Sequence, residues 1–351
     1  MKSRIILLSA WMVIGIQLAT AQTIPVTYAQ NESDLSAFLQ TETSDASKLI
    51  GAYISPVIKG LSYGATSGWY TTGKTHKKLG IDLGVSLIAV FMPSSENTFD
   101  PTKIGLSANT VPTGNVAPTM FGPKIPTSYD IYDNNGTKIR TISGPEGLDF
   151  NKYTMSAVPA AMVQLGVGTI KNTDLKIRYL PELTVGASKL KMIGFGLMHD
   201  VKQYIPGVKT LPFDLSVLVA YNSITGSTSL INPDKLSDDG KPYSDDGLLT
   251  YKLNSWVMQA IVSKKVAIFT FYLGAGYGTV STNANITGSF YLDKYNASAP
   301  PLINPFATTY NNSSMKLTAG MRFNFGPVYL SGDYTLQQYN ALSLGFGFTI
   351  R

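Results

Sequence analysis

The sequence predicts an all-β fold: an antiparallel transmembrane β-barrel of 10 to 14 strands, with 12–14 the preferred count, an N-terminal plug segment and long outer loops. Three observations predict it. Stretches about ten residues long carry oily residues on one parity and polar ones on the other. The polar parity includes full charges, so it faces water or polar groups rather than a dry core. The links between stretches alternate short and long. In the final stretch Leu342, Leu344, Phe346, Phe348 and Ile350 oppose Ser343, Gly345, Gly347 and Thr349. Successive residues of a strand point to opposite faces. An apolar outside and a polar inside, on strands of about 9–11 residues, suit a tilted bilayer crossing, whereas globular strands average about five or six.

Composition agrees. The chain has 351 residues, 44% apolar and only 14% charged, where about a quarter charged is usual for a soluble domain. Lipid rather than a charged surface must keep it dispersed. Cysteine is absent, so stability cannot rest on disulfides. The formal net charge is +6, and no basic stripe with interleaved aromatics occurs, which argues against nucleic acid as a partner.

The first element is a leader. Lys2 and Arg4 precede an apolar run from Ile5 to Ile16, and Ala19-Thr20-Ala21 follows. That order predicts a secretory signal peptide, residues 1–21, cleaved after Ala21. Residues 22–61 lack clean alternation and are expected to form a periplasmic or plug segment. It would contain a short helix at 34–40 capped by Ser33 and plug candidates Tyr53, Ile54, Pro56 and Ile58. Pro56 disfavours a central strand there.

Residues 62–351 are the expected barrel. Alternation marks strands at 79–91, 157–168, 174–185, 189–199, 212–224, 249–263, 266–280, 314–325, 328–337 and 341–350. Tight turns are expected at 170–173, Lys264-Lys265 and Phe325-Gly326-Pro327, and long links at 93–156, 225–248 and 281–313. Short turns of such barrels lie on the periplasmic side and long ones outside. Asn135-Gly136 signals a hairpin over 129–142, and 284–310 offers another; each adds two strands, or the first forms a flap on the outer loop.

The inward parity collects Asp82, Lys176, Arg178, Glu182, Asp214, Lys316, Arg322 and Asp333. A ring of one sign would select ions. Mixed signs predict pairing with one another or with a plug, and the same lattice would line a narrow route. Gly274, Gly276 and Gly278 share a face, as do Gly345 and Gly347; they either admit another backbone or permit curvature. Tyr251, Trp256, Tyr277, Tyr310, Tyr334 and Phe348 are candidates for interfacial aromatic girdles. The two histidines, His76 and His199, fall in different turns. They assemble neither a triad nor a zinc cluster, so no catalytic, cofactor or metal residue is assigned and no enzyme is expected.

The runs G-A-T-S-G-W-Y-T-T-G-K-T-H-K-K-L-G-I-D (64–82), A-P-T-M-F-G-P (117–123), G-P-E-G-L-D (144–149), D-L-K-I-R-Y-L-P-E (174–182) and H-D-V-K-Q-Y-I-P-G (199–207) resemble a family of uncharacterised outer-membrane proteins of Bacteroidetes. The last two more distantly resemble the long-chain fatty-acid transporters, whose barrel is blocked by an N-terminal hatch. The resemblance implies the outer membrane of a Gram-negative bacterium. It also implies a passive channel for a small hydrophobic or amphipathic solute, gated by the N-terminal segment. The alternative is a non-transporting structural or partner-binding barrel. Expected partners are outer-membrane lipid, the barrel-insertion machinery that reads a C-terminal strand such as 341–350, and a hydrophobic small molecule.

Overall fold

The computed structural model describes residues 38–39, 41–149, 157–185, 187–231, 244, 246–291 and 301–350. The expected leader at 1–21 and residues 34–37 and 40 of the expected helix at 34–40 lie outside the described residues. Ten long strands form one closed antiparallel barrel. They are β1 (Ile81–Phe91), β2 (Ala157–Gly168), β3 (Thr173–Val185), β4 (Ser188–Asp200), β5 (Asp214–Ser229), β6 (Leu248–Val266), β7 (Phe269–Thr287), β8 (Phe306–Phe325), β9 (Val328–Leu336) and β10 (Ala341–Ile350). Each pairs with its neighbour in sequence, and β1 pairs with β10 from Ile81 opposite Ile350 to Val90 opposite Ala341. An even count makes first and last antiparallel, so the ring closes without an edge.

Ten strands correct the preferred count of 12–14. The hairpin at 129–142 is a flap: Ser128–Tyr132 and Lys138–Ser143 pair with Thr110–Pro112 in a separate three-stranded sheet. The stretch 284–310 adds no strand to the barrel either: Ser289–Phe290 and Leu302–Ile303 pair only with each other. β7 and β8 instead run to 19 and 20 residues, pairing as far as Ile286 opposite Phe306. The expected polar link at 281–313 is thus largely strand, because the pattern inverts there. Ser281 and Asn283 turn outward while Val280, Thr282, Ala284 and Ile286 are buried inside. The turn expected at Lys264-Lys265 lies at 267–268, with Ala267 at φ 54°; the two lysines continue β6 and pair with Thr270 and Phe271.

Below that inversion the apolar parity faces out. Leu83, Leu87, Phe195, Phe271, Leu273, Leu317, Leu330, Leu344 and Phe346 are all exposed, Leu344 by 55%. They form a belt around the wall. Among the described residues no helix is long and apolar enough to cross a membrane.

The lumen holds the preceding chain. Helix α1 (Thr43–Ala65, 23 residues) packs against β8, β2, β1, β7 and β6. The boundary expected at 61 falls inside this helix, which runs well beyond the short helix expected at 34–40. Tyr53, Ile54, Pro56 and Ile58 are all buried in it. Pro56 removes a backbone donor mid-helix, which costs about 3 kcal/mol in isolation; burial of the apolar residues around it offsets that loss. Gly60 and Gly64 bring the helix backbone against β2, since a β-carbon at Gly60 would overlap the Val158 side chain and one at Gly64 would stand 3.3 Å from Ala160. After the helix, residues 66–80 continue as a strap along the inner wall, where Trp69, Tyr70, Thr72 and His76 are buried.

The inner-face glycines divide by function. A β-carbon at Gly274 would overlap the Tyr70 hydroxyl, so Gly274 makes room for the strap; one at Gly347 would overlap the ring of Tyr329 of the wall itself. Gly332 points outward, where a β-carbon would meet Leu344 at 3.5 Å. Gly274→Val is therefore expected to lower stability by about 1–3 kcal/mol through overpacking. Gly332→Val should not lower it, and urea unfolding midpoints of the two variants check this.

Candidate functional site

The helix runs with a definite polarity. Its first turns meet the long loops: Ser47 Oγ donates to Pro305 O at 3.1 Å, and buried Asp45 accepts from Ser107 N and Oγ at 2.9 and 2.6 Å. Its C-terminal end lies within the lumen, and the strap continues to the mouth with the short turns. There His76 N and Nδ1 reach the two carboxylate oxygens of Asp174, each at 2.8 Å, and Nε2 lies 3.1 Å from Thr349 Oγ1. The chain thus passes through the barrel from the long-loop mouth to the short-turn mouth.

Wall charges hold this thread. A helix ends with orphan carbonyls and a partial negative charge, and α1 has no basic residue of its own in its last turn. Arg178, fully buried, supplies Nη1 to Ala65 O at 3.4 Å and Nη2 to Ser67 O at 3.0 Å. Its guanidinium lies 3.8 Å from the centre of a Trp69 ring. Asn222 Nδ2 donates to Ala65 O at 2.5 Å. Lys316 Nζ reaches Thr66 Oγ1 at 2.8 Å, Ser67 Oγ at 3.2 Å and Gln337 Oε1 at 2.6 Å. Of the two pairings that mixed signs suggested, these two cations take the thread as partner.

Nearer the short-turn mouth, wall pairs with wall as well. Arg322 Nη1 lies 3.3 Å from Asp82 Oδ2 and 3.0 Å from Thr71 Oγ1 of the strap, and Tyr329 Oη donates to Asp82 Oδ1 at 3.0 Å. Asp333 accepts from Tyr272 Oη at 3.1 Å, and Lys176 is buried. Asp214 stands half-buried near that end and accepts from Ser263 at 3.3 Å. Glu182 departs from the expected interior network. A register shift between Leu180 and Leu183 breaks the alternation, so Glu182 is half-exposed and pairs with Lys189 at 3.4 Å.

Sequence reasoning missed the His76–Asp174 pair, since Asp174 had been assigned no role. Parity could have found it: Asp174 shares the face of Lys176 and Arg178. Carboxylate, imidazole and hydroxyl follow in the order that lets a base activate a nucleophile. The space beside them is small. The cavity lined by His76, Asp82, Lys176, Arg322 and Tyr329 has a volume of about 20 Å³, room for about one water. His199 lies on the outer parity of β4, bonded to Thr173 and Tyr204, while Asp200 caps a turn by accepting from Lys202 N. Among the described residues no three His, Cys, Asp or Glu side chains are grouped to hold a metal.

The girdle candidates split. Trp256, Tyr277, Tyr334 and Phe348 stand on the exposed face. Tyr310 and Tyr251 pack against the apolar cluster around α1, where Tyr310 Oη donates to Gly51 O at 2.9 Å. They are corrected from girdle to thread contacts, because they lie above the belt where the facing inverts.

The long link between β1 and β2 folds into a cap over the long-loop mouth. It meets the thread through Phe38, whose ring lies edge-on to Tyr129 at 5.7 Å, and through Tyr53 Oη, which donates to Glu146 O at 2.7 Å. Burial pushes the Tyr129 phenol upward. On the cap hairpin, Lys138 and the Thr141 hydroxyl beside Asp130 hold its carboxyl below the usual range. The cap carries a groove of about 370 Å³ lined by Thr98, Val116, Pro118, Ile125 and Pro126, among others.

No curated protein matches the chain. Among solved structures it is similar to Ail, the attachment invasion locus protein of Yersinia pestis, at 7% identity and TM-score 0.25 over 78% of this chain and 100% of that one. It is similar to the translocator domain of the autotransporter NalP from Neisseria meningitidis at 11% and 0.29, over 86% and 96%. It is similar to the outer membrane protease OmpT from Escherichia coli at 8% and 0.26, over 77% and 93%. No residue is matched across identities this low. A family model does match, over residues 1–350: the chain belongs to DUF6588, a family of unknown function.

Proposed function

We propose that this protein is an outer-membrane barrel whose lumen is closed by its own N-terminal thread, and that it acts as a membrane anchor presenting the cap at the outer mouth. The observation that carries this reading is the helix and strap running mouth to mouth through the lumen, with their backbone held by Arg178 and Asn222 and the Thr66 and Ser67 hydroxyls held by Lys316. The apolar belt supports a lipid setting, and the mixture of one-sided short turns and long opposite loops supports an outer membrane with the cap outside. The partner-binding alternative fits this geometry better than an open channel for a hydrophobic solute. A channel requires the thread to leave, and the thread is anchored by buried charges.

Three outcomes are expected. Reconstituted wild-type protein conducts no steady current in a planar bilayer. Arg178→Met leaves buried carbonyls of the thread short of a donor, a loss of about 1–3 kcal/mol, enough to raise a displaced-thread state about 5- to 150-fold. Open bursts should rise by that order while heat-modifiable migration shows an intact barrel; steady wild-type current equal to that of the variant rejects the closed lumen. The setting is tested separately. Leu344→Arg on the belt should destabilise the protein in vesicles by about 2–4 kcal/mol, whereas Ile139→Arg on the exposed cap sheet should stay within about 0.5 kcal/mol.

A further inference from the structure

The two mouths of the barrel differ in charge as well as in loop length. At the long-loop mouth lysines pair with acids: Lys59 with Glu96 at 2.8 Å, Lys103 with Asp100 at 3.1 Å, Lys138 with Asp130 at 2.7 Å and Lys189 with Glu182 at 3.4 Å. The short-turn mouth is different. Lys74, Lys77 and Lys78 on the strap before β1, Lys171 between β2 and β3, and Lys264 and Lys265 at the end of β6 are all exposed, as is Lys209 between β4 and β5. Among the described residues none of these lysines is in an ion pair. No acid is exposed at this mouth among the described residues either. Asp82 and Asp174 are buried, and the half-buried Asp200 and Asp214 accept from Lys202 N and Ser263 Oγ.

Oily residues stand beside the lysines. Leu79 follows Lys78 and is 76% exposed, and Ile170 precedes Lys171 and is 64% exposed. Leu211, Val266 and Ile268 are exposed close to Lys209 and Lys265. Leu79 also holds φ 63°, a left-handed conformation that a bulky side chain rarely adopts. The strain is spent on presenting a leucine that the protein itself does not cover. Lys264 pairs with Phe271 across the β6–β7 ladder, and directly opposed residues share a face. Charge and oil therefore meet on the outward face, where the apolar belt ends.

We propose that this collar is a docking surface for anionic phospholipid headgroups in the leaflet that meets the short turns. The proposal rests on the outer-membrane reading above, which makes that leaflet the periplasmic one. Charge complementarity selects the headgroup, since the phosphodiester of a phosphatidylglycerol carries the negative charge that this mouth lacks. Continuity with the belt selects a lipid over a soluble acidic partner. Lysine stems and their oily neighbours lie along the boundary of the acyl chains while the ammonium groups reach the headgroup level. The arrangement follows the perimeter too. Lysines occur on the links from β1 round to β7, consecutive neighbours in the ring, rather than in one patch. Only the β8–β9 turn, Phe325-Gly326-Pro327, carries none among the short links.

Lipid selectivity at the wall tests this. The purified protein is reconstituted in phosphatidylcholine vesicles with a trace of spin-labelled phosphatidylglycerol or spin-labelled phosphatidylcholine, and electron spin resonance reads the share of each held at the barrel. A lysine near an anionic headgroup favours it about fivefold, so a preference for phosphatidylglycerol of about two- to fivefold is expected when averaged around the wall at low salt. It should fall towards one in about 1 M salt, where charges are screened within about 3 Å. Lys77→Gln, Lys78→Gln, Lys171→Gln and Lys264→Gln together bring the ratio close to one. Lys103→Gln, Lys124→Gln, Lys138→Gln and Lys189→Gln together remove the same charge from the other mouth and leave the preference in place. Heat-modifiable migration confirms that both variants are folded. Equal shares of the two lipids at the wild-type wall overturn the proposal alone, and are the result a collar serving a soluble acidic partner would give. A preference that survives in the collar variant overturns it as well. Failure of the barrel to hold either lipid removes the membrane setting, and the proposal with it.

Discussion

The carbonyl end of a buried helix needs donors, and everything particular to this barrel follows from how they are supplied. α1 ends deep in the lumen with no lysine or arginine of its own in the last turn. Arg178 of β3 and Asn222 of β5 donate to its Ala65 carbonyl, and Lys316 of β8 holds the Thr66 hydroxyl beside it. Cations buried in a wall are costly unless paired and hydrogen-bonded; carbonyls buried at a helix end are costly unless they accept. Each side removes the other's penalty, and the negative end of the helix dipole favours the arrangement further. Strand order, helix depth and filled lumen are thereby one solution rather than three.

That arrangement explains why the inner wall is so uneven. Where the thread passes closely, the wall is glycine, as at Gly274 beside Tyr70, and Gly196, where a β-carbon would stand 2.9 Å from Trp69. Where the thread needs holding, the wall carries long polar side chains. Near the short-turn mouth the strap is fastened by the His76–Asp174 pair and by Arg322, which bridges Thr71 of the strap to Asp82 of the wall.

Above the belt the rules change, because water replaces lipid outside. β7 and β8 continue with serine, threonine and asparagine outward, and with Ala284, Ile286 and Phe306 packed inward on the first half of α1. The upper third of the molecule thus behaves as a small globular domain with an ordinary core. Phe38, Leu49, Ile50, Tyr53 and Tyr129 share that core. The cap, the strand extensions and the helix stabilise one another there.

The sequence by itself determined the wall. Period-two alternation is local, and the solvent difference between lipid and lumen writes it into every membrane-crossing strand, so the belt residues, the inward charges and the ring of antiparallel neighbours were readable residue by residue. Alternation failed as a guide where the solvent changed, at 281–287 and 306–313, and where a bulge shifted the parity before Glu182. The helix left a weaker trace. Ala46, Leu49, Ile50, Tyr53, Ile54 and Ile58 recur at helical spacing, but Gly51, Pro56, Gly60 and Gly64 argue against helix on propensity. Only the tertiary structure decided that this segment is helical, because its stability comes from the surrounding wall. Only it paired His76 with Asp174 and aimed Arg178 at Ala65, since partners 98 and 113 residues apart meet only through barrel closure around the thread.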